Sequence, residues 1–139
     1  SPRCRVRKLP EGDASQFMPN PYKGKTGLRR LINAFGYSIN GLRAAYRLED
    51  AFRQEIVLAT VLIPAALLLP VAATGRALLL ASVFLVLIVE LLNSAIEAAV
   101  DRISLDNHEL AKLAKDIGSA AVMLSLVCMT VVWIVVLTG

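Results

Sequence analysis

The stretch that decides the fold runs Ala77-Leu78-Leu79-Leu80-Ala81-Ser82-Val83-Phe84-Leu85-Val86-Leu87-Ile88-Val89 and continues, with no loss of helical character, into Glu90-Leu91-Leu92-Asn93-Ser94-Ala95-Ile96-Glu97. A transmembrane helix needs about 20 mostly apolar residues, so a span that begins at Ala77 ends near Ile96. Glu90 then falls inside the hydrocarbon zone and Glu97 near its edge.

On the N-terminal side, Ile56 to Ala73 is a second apolar run in which Thr60 is the only polar side chain. Pro64 and Pro70 interrupt it, as neighbouring helices in a membrane allow. Thr74-Gly75-Arg76 reads as a short turn between the two runs. On the C-terminal side, Leu105 to Asp116 is a polar connection. Asp106 followed by Glu109 resembles a capping box with Asp in the Ser/Thr place. The helix that starts there runs into a third apolar segment, Ile117 to Leu137, and no charged side chain occurs from Ile117 to Gly139. Trp133 lies towards the far interface, where an indole ring is favoured. The expected spans are about 51–73, 76–102 and 107–138.

Composition agrees. Of 139 residues, 56% are hydrophobic and only 6% aromatic. A soluble core of this size cannot hide so much aliphatic surface, so lipid is the expected solvent for most of it. Charge is unevenly placed: eleven of the 15 Lys and Arg residues lie in the first 53 positions. Residues 1–23 are basic and rich in Pro and Gly, with no apolar segment of the signal-peptide kind. They read as a disordered basic leader or a cloning remnant, with Met18 a possible natural start. The membrane domain is expected over 24–139.

Its first element is a surface helix, 28–48. Leu28, Leu31, Ile32, Phe35, Ile39, Leu42 and Tyr46 recur at helical spacing and share one face, while Arg29, Arg30, Asn33 and Asn40 point elsewhere. A basic, amphipathic helix of this kind suits an anionic lipid surface, and no nucleic acid partner is expected. Orientation follows from the cations. The N-terminal region is strongly basic, and the 101–116 connection carries Arg102, Lys112 and Lys115, whereas the 74–76 turn has Arg76 alone. The N-terminus and the 101–116 connection are therefore expected in the cytoplasm.

Several chemistries are weak here. Cys4 sits in the polar leader and Cys128 in an apolar run, so a disulfide between them is not expected, and neither has metal-site spacing. Gly24-Lys25-Thr26 invites a P-loop reading, but the required earlier glycine is replaced by Pro19 and no strand precedes it. His108 is the single histidine, which leaves little room for His-based zinc or triad chemistry.

The informative residues are Glu90, Asn93, Glu97 and Asp101. Their spacing of i, i+3, i+7 and i+11 puts them in one stripe of one helix. A charge near the middle of a bilayer costs at least a few kcal/mol, so Glu90 needs a reason. One reason is structural, an interhelical clasp through a protonated acid. Another is catalytic, since a buried carboxyl suits a general base. Carboxylates gathered near an interface can hold Mg²⁺, which takes oxygen ligands and shares them with phosphates. Lys115 lies at the same level and could meet a phosphate, although taken alone it reads better as a snorkelling anchor.

The run Glu90-Leu91-Leu92-Asn93-Ser94-Ala95-Ile96-Glu97-Ala98-Ala99-Val100-Asp101-Arg102 resembles the signature of prokaryotic diacylglycerol kinases. Gly36-Tyr37-Ser38, Gly41-Leu42-Arg43-Ala44-Ala45, Ala51-Phe52-Arg53-Gln54-Glu55 and Ala114-Lys115-Asp116-Ile117-Gly118-Ser119-Ala120-Ala121 extend the likeness over residues 25–137. The resemblance implies an all-α membrane protein of one amphipathic surface helix and three transmembrane helices, assembled as a homotrimer with shared active sites. It further implies a place in the bacterial inner membrane and transfer of the γ-phosphoryl group of MgATP to diacylglycerol, giving phosphatidic acid. By the same likeness Glu90 is the general base, and Glu49 and Glu97 hold Mg²⁺. Arg30, Tyr37, Asn93, Lys115, Asp116 and the divergent Asp106-Asn107-His108 resemble nucleotide-site positions. Arg30, Arg43, Arg53-Gln54-Glu55, Glu90, Ser119 and Trp133 match the wall of the lipid site. Two alternatives stay open: an undecaprenol kinase of a neighbouring branch, and a small proton-coupled transporter with Glu90 as carrier acid. The second leaves Glu49, Glu97, Lys115 and Asp116 at one membrane face without a purpose.

Overall fold

The computed structural model describes residues 27–103 and 108–139. The leader expected at 1–23, and Asp106 and Asn107, lie outside the described residues. Among the described residues four helices follow one another: α1 (Gly27–Leu48), α2 (Asp50–Leu68), α3 (Ala73–Ile103) and α4 (His108–Thr138). The last three are long and apolar enough to cross a membrane, so this is an all-α membrane protein. The chain divides into two compact units, residues 1–39 and 40–139, with the boundary inside α1.

In the first unit, the described part of α1 exposes its apolar face. Leu28, Leu31, Ile32 and Phe35 are all exposed, as suits a helix whose solvent on that side is lipid. Ser38 turns its hydroxyl back onto the Ala34 carbonyl at 2.9 Å, four residues earlier.

In the second unit, α3 is the central helix and packs against both α2 and α4. Leu79, Ser82, Val83, Val86 and Glu90 are its buried residues, spaced at i, i+3, i+4, i+7 and i+11 along one face. Ala59, Val83, Val86 and Met129 form the core, with Leu62, Ile63, Leu87, Leu126 and Trp133 around them. Small side chains let the backbones approach, the usual device where lipid supplies no hydrophobic drive between helices. Ala59 and Ala66 on α2 are buried. The polar groups within this layer are satisfied locally. Ser82 Oγ donates to the Leu79 carbonyl at 2.8 Å and accepts from Trp133 Nε1 at 3.2 Å.

The break between α2 and α3 lies earlier than the expected turn at 74–76. α2 stops at Leu68, and Leu69 is extended, with φ −67° and ψ 143°. Pro70 explains this, because a proline ring forces the preceding residue out of the helical region. Thr74, Gly75 and Arg76 are already helical, in the first turn of α3. Arg76 has a specific task there. Its Nε donates to the Ala66 carbonyl at 3.2 Å and its second guanidinium nitrogen to the Leu69 carbonyl at 3.0 Å. A helix end leaves carbonyls unpaired, and a cation there also suits the helix dipole.

Candidate active site

The α3 face that packs the core is continued by Glu90, Asn93 and Glu97, so one stripe changes from apolar to acidic along its length. Leu79, Val83 and Val86 fix the rotation of α3 by burial, and that rotation carries Glu90 inward to 4% exposure. Glu55 on α2 meets it: the two carboxyl groups interact across the α2–α3 contact. Glu90 also feels the charges of Glu49 and Glu97. Glu49 stands between α1 and α2 in the N-cap position, with extended backbone, yet its side chain makes no capping bond.

Three buried side-chain oxygens in this region accept or donate nothing within the protein: Glu55 Oε2, Asn93 Oδ1 and Ser94 Oγ. A buried oxygen left without a partner costs roughly 1–3 kcal/mol. Glu55 meets Glu90, and Asn93 and Ser94 lie one turn further along α3.

At the polar ends of α3 and α4, Lys115 Nζ lies 2.5 Å from Asp101 Oδ1. Asp116 is paired within its own helix, to Lys112 at 2.9 Å. The fold therefore brings Glu55, Glu90, Asn93 and Glu97 into one region, with Glu49 in electrostatic reach and Lys115 joined to the end of the same stripe.

Other candidates stand apart. Trp133 is half-buried in the core, and its partner Ser82 is about 12 Å along α3 from Glu90 at 1.5 Å per residue. Arg53 turns back towards the α1–α2 corner, where it pairs with Asp50 and donates to the Arg47 carbonyl at 3.3 Å. Arg43, Gln54 and Ser119 are exposed. Arg30 and Tyr37 belong to the first unit and are exposed there. His108 opens α4.

Two features of this region escape a reading of the sequence. One is the meeting of Glu55 with Glu90 across α2 and α3, and the other is the Asp101–Lys115 pair. Both depend on how two helices face each other, which no single-helix period contains. The available signal was the presence of Glu55 near the start of an otherwise apolar helix, where an unpaired acid is costly.

Residues 36–137 match the prokaryotic diacylglycerol kinase family. The chain belongs to that family. A protein of Pseudomonas aeruginosa named diacylglycerol kinase is 57% identical over 121 residues, covering 87% of this chain and 98% of the relative. One of Escherichia coli strain K12 with the same name is 52% identical over 112 residues, covering 81% and 92% respectively. A Haemophilus influenzae diacylglycerol kinase is 47% identical over 108 residues, 78% of this chain and 92% of its own length. The matched region takes in α2, α3, α4 and most of α1, and with them every residue of the acidic stripe.

Proposed function

We propose that this chain is an ATP-dependent lipid kinase that moves the γ-phosphoryl group of MgATP onto the free hydroxyl of 1,2-diacylglycerol, giving phosphatidic acid. The observation that carries the reading is a family match spanning the whole of α2 and α3, together with a carboxyl group, Glu90, at 4% exposure in a membrane helix. Membership supports the kinase activity. The buried acid supplies what transfer to an alcohol requires.

Phosphoryl transfer depends on alignment and charge neutralisation more than on covalent chemistry by the protein. Glu90 takes the proton of the attacking lipid hydroxyl as the new oxygen–phosphorus bond forms and the bond to the leaving ADP breaks. A base in this position contributes on the order of 10²–10⁴ in rate. Lys115 sits at the polar end of the same stripe and is the cation for the nucleotide phosphates, with Asn93 and Asp116 as further polar contacts. Arg30 and Tyr37 on the surface helix, and Asp106, Asn107 and His108, are proposed for the nucleotide by family likeness. Arg43, Arg53, Gln54, Glu55, Ser119 and Trp133 are proposed for the lipid on the same ground.

Mg²⁺ suits the residues present. The donors are all oxygen, as a hard cation prefers. Among the described residues no three metal-ligating side chains converge on one point. A hard cation can be held by one or two carboxylates, the remaining positions being filled by phosphates and water. Glu49 and Glu97 would hold it, and bound there it would neutralise charge developing on the phosphates. The protein is proposed to work as a homotrimer with shared sites, in the bacterial inner membrane with its N-terminus in the cytoplasm. The uneven distribution of Lys and Arg supports that orientation.

The test is transfer of labelled γ-phosphate from ATP in mixed micelles containing either diacylglycerol or undecaprenol. Label on diacylglycerol is expected. Label confined to undecaprenol reassigns the acceptor, and label on neither lipid rejects the kinase reading.

A further inference from the structure

α4 meets α3 at a point where a side chain does not fit. Gly118 is buried, and a methyl group at its Cα would overlap Asn93 Oδ1 on α3. The other helical glycines differ. Gly27, Gly36 and Gly41 face open space, and a methyl group at Gly75 would meet the Val136 side chain at 3.1 Å. Among the described glycines, Gly118 alone has the place of its missing Cβ taken by a polar atom of another helix. Nothing in α4 itself asks for glycine there, since the residue lies well inside a regular helix, where Gly costs about 1 kcal/mol relative to Ala.

The second observation concerns the atom that occupies the space. Asn93 Oδ1 is buried and accepts no hydrogen bond within the protein. A polar clasp that serves only to join helices finds its partner across the interface. Here α4 gives up a side chain to admit an oxygen that the fold then leaves unused.

We propose that Gly118 is a positioning residue for the transfer reaction: its bare backbone receives Asn93 Oδ1 and so fixes the orientation of the Asn93 amide within the acidic stripe. The proposal rests on the kinase reading. The overlapping atom is the end of a short side chain, so an added methyl group is relieved by rotating the amide rather than by parting the helices. Gly118→Ala thus displaces the amide and leaves the bundle intact.

The experiment compares wild type, Gly118→Ala, Asn93→Ala and the double variant. Gly118→Ala is expected to lose about tenfold to a hundredfold in kcat, the scale of a misplacement of about 1 Å, with KM values and thermal midpoint close to wild type. In the Asn93→Ala background the same change adds no further loss. The ¹⁵N–¹H side-chain amide signal of Asn93, recognised by its absence from Asn93→Ala, shifts in Gly118→Ala. A Gly118→Ala enzyme with wild-type kcat overturns the proposal. So does an unmoved Asn93 signal, or an equal loss in both backgrounds with a matching fall in thermal midpoint. A wild-type protein that phosphorylates no lipid rejects the kinase reading itself, a result distinct from an active wild type with an unimpaired glycine variant.

Discussion

Lys115 Nζ on α4 lies 2.5 Å from Asp101 Oδ1 on α3, and this ion pair joins the polar ends of the two longest helices. Both side chains are substantially exposed, 42% and 62% respectively. Exposed pairs of this kind contribute little to stability. The pair therefore matters more for where it holds the ammonium group than for stability. Asp101→Asn is expected to leave the thermal midpoint nearly unchanged, while Lys115→Met raises the KM for ATP at least about tenfold through loss of a charge-assisted phosphate contact. Steady-state kinetics in ATP, with unfolding followed in the same detergent, checks both. A Lys115→Met enzyme with normal KM and kcat for ATP removes Lys115 from the nucleotide site.

Glu90→Gln keeps the shape of a side chain that is 4% exposed and removes its capacity to take a proton. The expected loss in kcat is on the order of 10²–10⁴. Stability should hold or rise, because Glu55 then faces an amide that can donate to it instead of a second acid. The measurement is lipid phosphorylation alongside thermal unfolding. Retention of most of the kcat excludes Glu90 as the base, whatever its burial.

The membrane spans were legible because their demand is local. A backbone in lipid must close its own hydrogen bonds, so long apolar runs become helices whatever surrounds them. The acidic stripe of α3 was legible for a similar reason, since Glu90, Asn93 and Glu97 share a face through helix period alone. Two signals compete at the break between α2 and α3. Gly75 looked like the turn between α2 and α3, but Pro70 sets the break, and Arg76 became a cap for the helix before it. Contacts between helices were not legible. That Glu55 meets Glu90, and that Trp133 bonds to Ser82, depends on rotation and depth that each helix acquires only from its neighbours.

Glu49 and Glu97 come from different elements, and both act electrostatically on Glu90. If they hold the cation, replacing either by Gln removes one charged oxygen ligand. Each variant should then need more Mg²⁺, its activity curve displaced to higher concentration while activity at saturating Mg²⁺ is partly restored. Titrating Mg²⁺ at fixed ATP and lipid distinguishes this from a general loss of fold, which no excess of Mg²⁺ repairs. Curves that superimpose on wild type in both variants reject the two residues as ligands.

Arg76 provides a control at the other end of the molecule. It lies 14 residues before Glu90 on α3, about 21 Å away along the helix axis, and its two bonds to the Ala66 and Leu69 carbonyls close the end of α2. A hydrogen bond from a charged donor is worth about 1.5–3 kcal/mol, and partial exposure of this guanidinium reduces that. Arg76→Ala should therefore lower the thermal midpoint measurably while leaving kcat and both KM values as they are at temperatures where the protein stays folded. Arg76→Lys should recover only part of the stability, because an ammonium group is a point charge and does not reproduce the planar fork that spans two carbonyls. The decisive comparison is kcat at low temperature against unfolding on heating. If Arg76→Ala lowers kcat as much as it lowers stability, the end of α2 is coupled to the acidic stripe, and the separation of a structural end from a chemical end along α3 is wrong.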